Sequence, residues 1–281
     1  MKKRENLPAA ICIRDHGAIK RAYHAILECW PVAMEKVYIP TSFGRTLCVR
    51  SGDRSRPPMI LIHGSMSNSA SWMADIGKLN ERYHTCCLDI PGDPGGSEDR
   101  RFSWNGPHFS RWIAECMDSL DIPNAAIGGL SLGGWAALRF AIDHPERVTR
   151  LFLLAPAGVG PIKVFTVLKL MFYSLAGKWG QEKILKMIFG EKEITQQVRD
   201  FFILTTGNCR PRYGNPPPFS DAELSSIEVP VIYIGGEDDP LIDTKKTSDR
   251  LAQNIRNLKC ILLRDSHALV QLERDVFDLL A

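Results

Sequence analysis

Apolar positions recur along this chain in two rhythms. Short runs centred on apolar residues occupy 58–62, 84–89, 125–127, 148–154, 229–234 and 258–263. Runs of that length read as strands, the one over 229–234 as a buried strand. Two earlier strands are expected near 35–40 and 45–50, joined by a turn at Thr41 to Gly44. The second rhythm is helical. Residues 17–30 carry Ile19, Ala22, Tyr23, Ile26, Leu27 and Trp30 on one face, and helices are also expected over 69–80, over 107–120 and directly after His267. Strands alternating with helices predict an α/β fold with a mostly parallel central sheet flanked by helices.

One joint in this pattern carries chemistry. Ala125-Ala126-Ile127 leads through Gly129-Leu130-Ser131-Leu132-Gly133 into the helical stretch Gly134-Trp135-Ala136-Ala137-Leu138. Strand, G-x-S-x-G, helix is the nucleophile-elbow arrangement. So abrupt a turn forces its central residue into a strained backbone conformation. Chain two residues to either side passes so close that a side chain would clash, hence Gly129 and Gly133. The Ser131 hydroxyl then projects from the sheet edge, and the Leu132 N–H lies at the positive end of a helix, where it can serve an oxyanion.

A serine hydroxyl needs a base and the base needs an acid, and after an elbow they follow in the order acid, histidine. The strand ending Ile234-Gly235-Gly236 runs into Glu237-Asp238-Asp239-Pro240, and the last strand runs into Arg264-Asp265-Ser266-His267. Both loops follow the C-terminal ends of strands, where open α/β sheets place their sites. His267 is the expected base; spacing alone leaves Glu237, Asp238 and Asp239 open as the acid.

The acid turn resembles that of the α/β-hydrolase superfamily, which often reads G-x-x-D followed by Pro. The resemblance implies Asp239 as the acid. His63-Gly64-Ser65-Met66 resembles the family's H-G-x-x loop, implying the Ser65 N–H as second oxyanion donor and His63 as a structural brace. Asp89 to Ser97 is an altered, longer version of a family turn, read as structural. Trp30-Pro31, Thr41 to Gly44, Gly129 to Gly134 and His144 to Val148 resemble bacterial carboxylesterases, so that the likeness spans about 30–280. It implies hydrolysis of small to medium apolar carboxylic esters through an acyl-enzyme, without cofactor or metal. The same triad also serves C–C bond, thioester, lactone and amide hydrolysis, and a non-catalytic ligand receptor can share the fold. Asp at the elbow would have pointed to dehalogenases or epoxide hydrolases.

From Ser131 to Asp239 is a span of 108 residues, far more than one strand and one helix need. A helical cap is therefore expected over 159–220, inserted into a core of 1–158 and 221–281, with 1–30 as an N-terminal helical extension. Met66 of the core and Phe172 and Phe201 of the cap are the candidate pocket residues. Lys163, Lys169, Lys178, Lys183, Lys186 and Lys192 give the cap a mildly basic face.

With 281 residues, 44% of them hydrophobic, the chain can bury one sizeable core, and a net charge of +3 with mixed signs gives no nucleic-acid groove. The basic start Met1 to Asn6 is followed by no apolar h-region, and no apolar stretch reaches 18 residues. Neither a signal peptide nor stable membrane insertion is expected. The eight cysteines show no C-x-x-C spacing, which fits reduced thiols in a cytoplasmic protein. A small-molecule ester is the expected partner; oligomeric state is not readable.

Overall fold

The computed structural model describes residues 13–212 and 214–278. Its strands are β1 (Met34–Thr41), β2 (Gly44–Ser51), β3 (Pro58–Ile62), β4 (His84–Leu88), β5 (Ala125–Leu130), β6 (Val148–Leu154), β7 (Val231–Gly236) and β8 (Leu258–Leu263). They form one eight-stranded sheet in the order β1-β2-β4-β3-β5-β6-β7-β8. The pairs β1/β2 and β2/β4 are antiparallel and the other neighbours are parallel. The chain moves outward from β3 to β4, then returns to the other side of β3 as β5. That reversal is a topological switch point, and ligands of open α/β sheets bind beyond the strand ends there.

Helices α1 (His16–Leu27), α2 (Met73–Leu79), α3 (His108–Ser119), α4 (Leu132–Asp143), α5 (Val164–Leu175), α6 (Gly177–Phe189), α7 (Gln196–Asn208), α8 (Asp221–Ser225), α9 (Thr244–Asn254) and α10 (Arg274–Asp278) complete the described chain. Alternation along the parallel strands sorts side chains into two cores. Ile60, Ile62, Ile127, Leu151, Leu153 and Tyr233 pack with Trp112 and Ile113 of α3, Leu138 of α4 and Leu251 of α9. Met59, Leu61, Phe152, Ile232 and Ile234 face the other way, onto Tyr23 and Leu27 of α1, Ile76 and Leu79 of α2, and Val276 and Phe277 of α10. Strands β3, β5 and β7 are almost wholly apolar because both of their faces are covered, whereas β8 lies at the sheet edge and is half-exposed.

Two local expectations shift. The stretch 69–80 divides into a 3₁₀ turn over Ser69–Trp72 and then α2, with the Ser69 N–H donating to the Asp89 carboxylate at 2.8 Å. The helix expected directly after His267 begins only at Arg274. Between them the Gln271 and Leu272 N–H groups donate to Asp75 of α2, at 3.0 and 2.8 Å. Backbone groups that would have started a helix are held by a side chain almost two hundred residues away.

Helices α5, α6 and α7 lie between β6 and β7, and three sets of contacts tie them to the rest. The N-terminal segment joins α7 through Arg14 N–H to Asn208 O at 2.9 Å and an Ile13–Cys209 bridge. The end of α6 meets the His267 loop, with Ser266 Oγ donating to Met187 O at 2.7 Å and Ala268 N–H to Ile188 O at 2.9 Å. Beyond α7, the buried Arg212 guanidinium pairs with Asp93, Nε to Oδ1 at 3.2 Å, and sits 5.5–5.6 Å from the rings of Phe102, Trp104 and Phe109. No helix of the described residues is long and apolar enough to cross a membrane.

Candidate active site

Ser131 sits at the turn from β5 into α4 with φ 52° and ψ −108°, a region that non-glycine residues rarely adopt. The turn is held by Ser131 N–H to Leu154 O at 2.8 Å, while Ser131 O accepts the N–H groups of Trp135 and Ala157, each at 3.0 Å. A Cβ on Gly129 would lie 2.2 Å from the Gly133 backbone, and one on Gly133 would lie 2.0 Å from Ile62 O. The crowding that the G-x-S-x-G spacing predicts is thus backbone against backbone. Leu132 opens α4, so its N–H has no intrahelical partner.

The loop after β3 comes alongside. A Cβ on Gly64 would stand 3.6 Å from Ser131 Cβ, so the Ser65 backbone follows immediately beyond the elbow. His63 fixes this loop from below. Its Nε2 accepts the Ile90 N–H at 2.9 Å, which leaves Nδ1 to donate to Gly64 O at 2.7 Å; one tautomer satisfies both. The turn at Asp89 is a second brace. Its buried carboxylate accepts the hydroxyls of Tyr23 and Ser69 and the N–H groups of Ser69 and Gly96. Met66 follows in the left-handed region at φ 59°.

At the far end of the parallel strands, Asp239 is 0% exposed whereas Glu237 and Asp238 are exposed. Asp239 Oδ1 accepts the N–H groups of Leu241 and Ile242, at 2.7 and 3.0 Å. Its Oδ2 lies 2.7 Å from His267 Nδ1. His267 itself is 7% exposed. Of the three carboxylates left open by spacing, Asp239 is the one that reaches the ring.

The His267 loop is clamped by residues that no motif pointed to. Lys192 pairs with Asp265 Oδ2 at 2.5 Å and donates to the carbonyls of Ala268 and Val270. Lys78 donates to Leu272 O at 2.5 Å. Asp75, 3% exposed, takes the two N–H groups described above; burial pushes its carboxyl up to about 6, against the pull of those donors and of Lys78 and Lys192. A carboxylate on the inward face of α2, among Ile76 and Leu79, was the one trace of this in the sequence. On the acid side, Lys163 Nζ donates to Asp239 O at 2.6 Å.

A family model described as the α/β hydrolase fold matches residues 57–182. The chain has the α/β-hydrolase fold. It is 29% identical over 262 residues to carboxylesterase YbfK of Bacillus subtilis (strain 168), covering 90% of this chain and 88% of that protein. The crystal structure of carboxylesterase CesB (YbfK) from Bacillus subtilis matches it with a TM-score of 0.84 at 25% identity, over 94% of this chain and 95% of that one. That of naproxen esterase (carboxylesterase NP) from Bacillus subtilis gives 0.85 at 26%, over 95% and 97%.

The three expected pocket residues have different surroundings. Met66 and Phe201 pack against one small cluster formed by Ile13, Ile19 and Cys209, and the Phe201 ring lies 6.3 Å from that of Tyr23. Phe172 is 64% exposed, with the Tyr173 ring 5.8 Å away. The cluster joins the N-terminal segment, α7 and the loop after β3, a meeting of distant segments that periodicity could not predict.

Proposed function

We propose that this protein is a serine hydrolase that cleaves small to medium apolar carboxylic esters through an acyl-enzyme. The observation that carries the reading is the buried 2.7 Å contact between Asp239 and His267 Nδ1, at the same sheet edge as the strained turn of Ser131. Likeness to two carboxylesterases over nearly the whole chain supports the ester as the bond cleaved.

With Asp239 accepting from Nδ1–H, the neutral ring presents Nε2 as a base. His267 Nε2 takes the Ser131 hydroxyl proton as Oγ attacks the ester carbonyl carbon. Asp239 holds the tautomer and stabilises the imidazolium. The N–H groups of Leu132 and Ser65 receive the charge on the carbonyl oxygen. The tetrahedral adduct collapses, and the alcohol leaves with the proton from His267. A water molecule then repeats the sequence on the acyl-enzyme, releasing the carboxylic acid and restoring Ser131. In this reading residues 159–220 form a cap on a core of 1–158 and 221–281, Met66 and Phe201 border the acyl group, and the protein works in the cytoplasm.

The test is covalent. A fluorophosphonate should add once to the folded protein, at Ser131, and Ser131→Ala should abolish both the adduct and turnover of chromogenic esters. A folded wild-type protein that takes no adduct and turns over no ester overturns the reading in favour of a ligand-binding protein on the same fold.

A further inference from the structure

Helix α5 is inside out. None of its residues is buried. Val164, Phe165, Leu168, Met171, Phe172 and Leu175 are 56–88% exposed, and Trp179 at the start of α6 is 55% exposed. At 100° per residue these α5 positions fall on one broad stripe. The opposite side, Thr166, Leu170 and Tyr173, is half-buried toward the protein. A surface helix ordinarily turns its apolar stripe inward; this one turns the larger and more apolar side to solvent. Contiguous exposed apolar surface of this kind marks a contact with something else.

Charge narrows what that is. No Asp or Glu occurs between Glu146 and Glu182. Lys169 flanks the stripe beside Phe165 and Phe172, Lys178 stands exposed next to Trp179, and Lys183 Nζ lies 5.6 Å from the Trp179 ring. A partner must accept a wide apolar stripe and neutralise ammonium groups at its rim. A second copy of the same face does the first but brings lysines toward lysines across the two-fold axis. An anionic lipid surface does both. The apolar side chains enter the headgroup–acyl boundary, the lysines reach phosphate oxygens, and Trp179 lies at interface depth.

We propose that α5 and the first turn of α6 form a reversible docking face for an anionic lipid surface. The face goes beyond the hydrolytic reading and does not depend on which bond is cleaved. It also has a fixed relation to the candidate site. Lys163, the residue before α5, donates to Asp239 O, so docking holds that end of the site close to the bilayer, where apolar esters partition.

The experiment is co-sedimentation of the full chain with vesicles of phosphatidylcholine alone or with a quarter phosphatidylglycerol, at low and high salt. Wild-type protein should bind the anionic vesicles at least about tenfold more tightly, less so in high salt. Phe165→Ser/Leu168→Ser/Leu175→Ser should lose at least about tenfold, as should Lys169→Glu/Lys178→Glu. All are exposed positions, and unchanged melting and turnover of a short soluble ester establish that each variant is folded. Equal binding to both vesicle types, or variants that bind like wild type, overturns the proposal. So does a wild-type dimer in light scattering that the triple serine variant alone makes monomeric, which would make the face a contact between copies.

Discussion

Asp239 reaches His267 with one carboxylate oxygen while the other is held by two backbone N–H groups of its own loop, from Leu241 and Ile242. The Asp239 carboxylate is therefore held in one orientation against the His267 ring. Asn at 239 keeps the shape but can offer an NH₂ where Oδ2 accepts, and the ring then takes the wrong tautomer. Asp239→Asn should lower kcat by about 10⁴. Asp238→Asn and Glu237→Gln, at exposed positions, should stay within a few-fold. Steady-state kinetics on one chromogenic ester decides; a dead Asp238→Asn beside an active Asp239→Asn would move the acid by one residue.

The elbow's glycines make a second prediction, with a built-in control. The Cβ of Gly133→Ala would lie 2.0 Å from Ile62 O, a backbone atom of the central strand. Neither chain can move without breaking the β3–β5 ladder, so this variant should be insoluble or destabilised by more than about 3 kcal/mol. Gly77 lies inside α2 with nothing within 4 Å of an added Cβ. Gly77→Ala should instead stabilise by about 0.5–1 kcal/mol. Urea unfolding of both variants checks the contrast.

These contrasts mark what was legible in the sequence. Strands β3, β5 and β7 were readable because parallel strands buried on both faces must be apolar along their length, and β6 because it is apolar where it crosses the core, over residues 151–154. The elbow was readable because part of its crowding is local, the Gly129 position against the Gly133 backbone four residues on, although Gly133 itself is confined by Ile62 of β3. The choice of Asp239 over Asp238 rested on family resemblance alone, since neighbouring carboxylates differ only in which one the loop turns inward. The irregular stretch after His267 was illegible: it depends on Asp75, Lys78 and Lys192, all distant in sequence. The same holds for Arg212, whose partner Asp93 and three aromatic rings lie about a hundred residues upstream.

Phe201 and Phe172 should differ as pocket residues. Phe201 is half-buried beside Tyr23 and packs against the cluster that Met66 also touches, whereas Phe172 is 64% exposed. Phe201→Ala should therefore shift the preference among p-nitrophenyl esters of increasing acyl length. Each CH₂ that the wall buries is worth up to about 0.8 kcal/mol, roughly fourfold in kcat/KM. Phe172→Ala should leave that profile in place. A shift caused by Phe172→Ala and not by Phe201→Ala would show that α5 folds over the acyl group during turnover.

Asp75 gives the fold a pH dependence of unusual sign for a carboxylate. Its pKa in the folded protein is about 6, against an ordinary 3.8, because burial outweighs the two N–H groups and the lysines that oppose it. Between those values the folded state holds a proton that the unfolded state has lost. The stability this proton confers is fully present below about pH 4 and is lost as pH rises through about 6. Roughly 2 pH units correspond to about 3 kcal/mol. Asp75→Asn cannot titrate, and the protein's other groups titrate in both proteins. The unfolding free energy of wild type minus that of Asp75→Asn should thus fall as pH rises from 4 to 6, then level off. Urea unfolding of both proteins at half-unit steps from pH 4 to 8 measures it. A difference that is constant across the window would mean that Asp75 ionises with its ordinary pKa, and that the clasp on Gln271 and Leu272 is open to water.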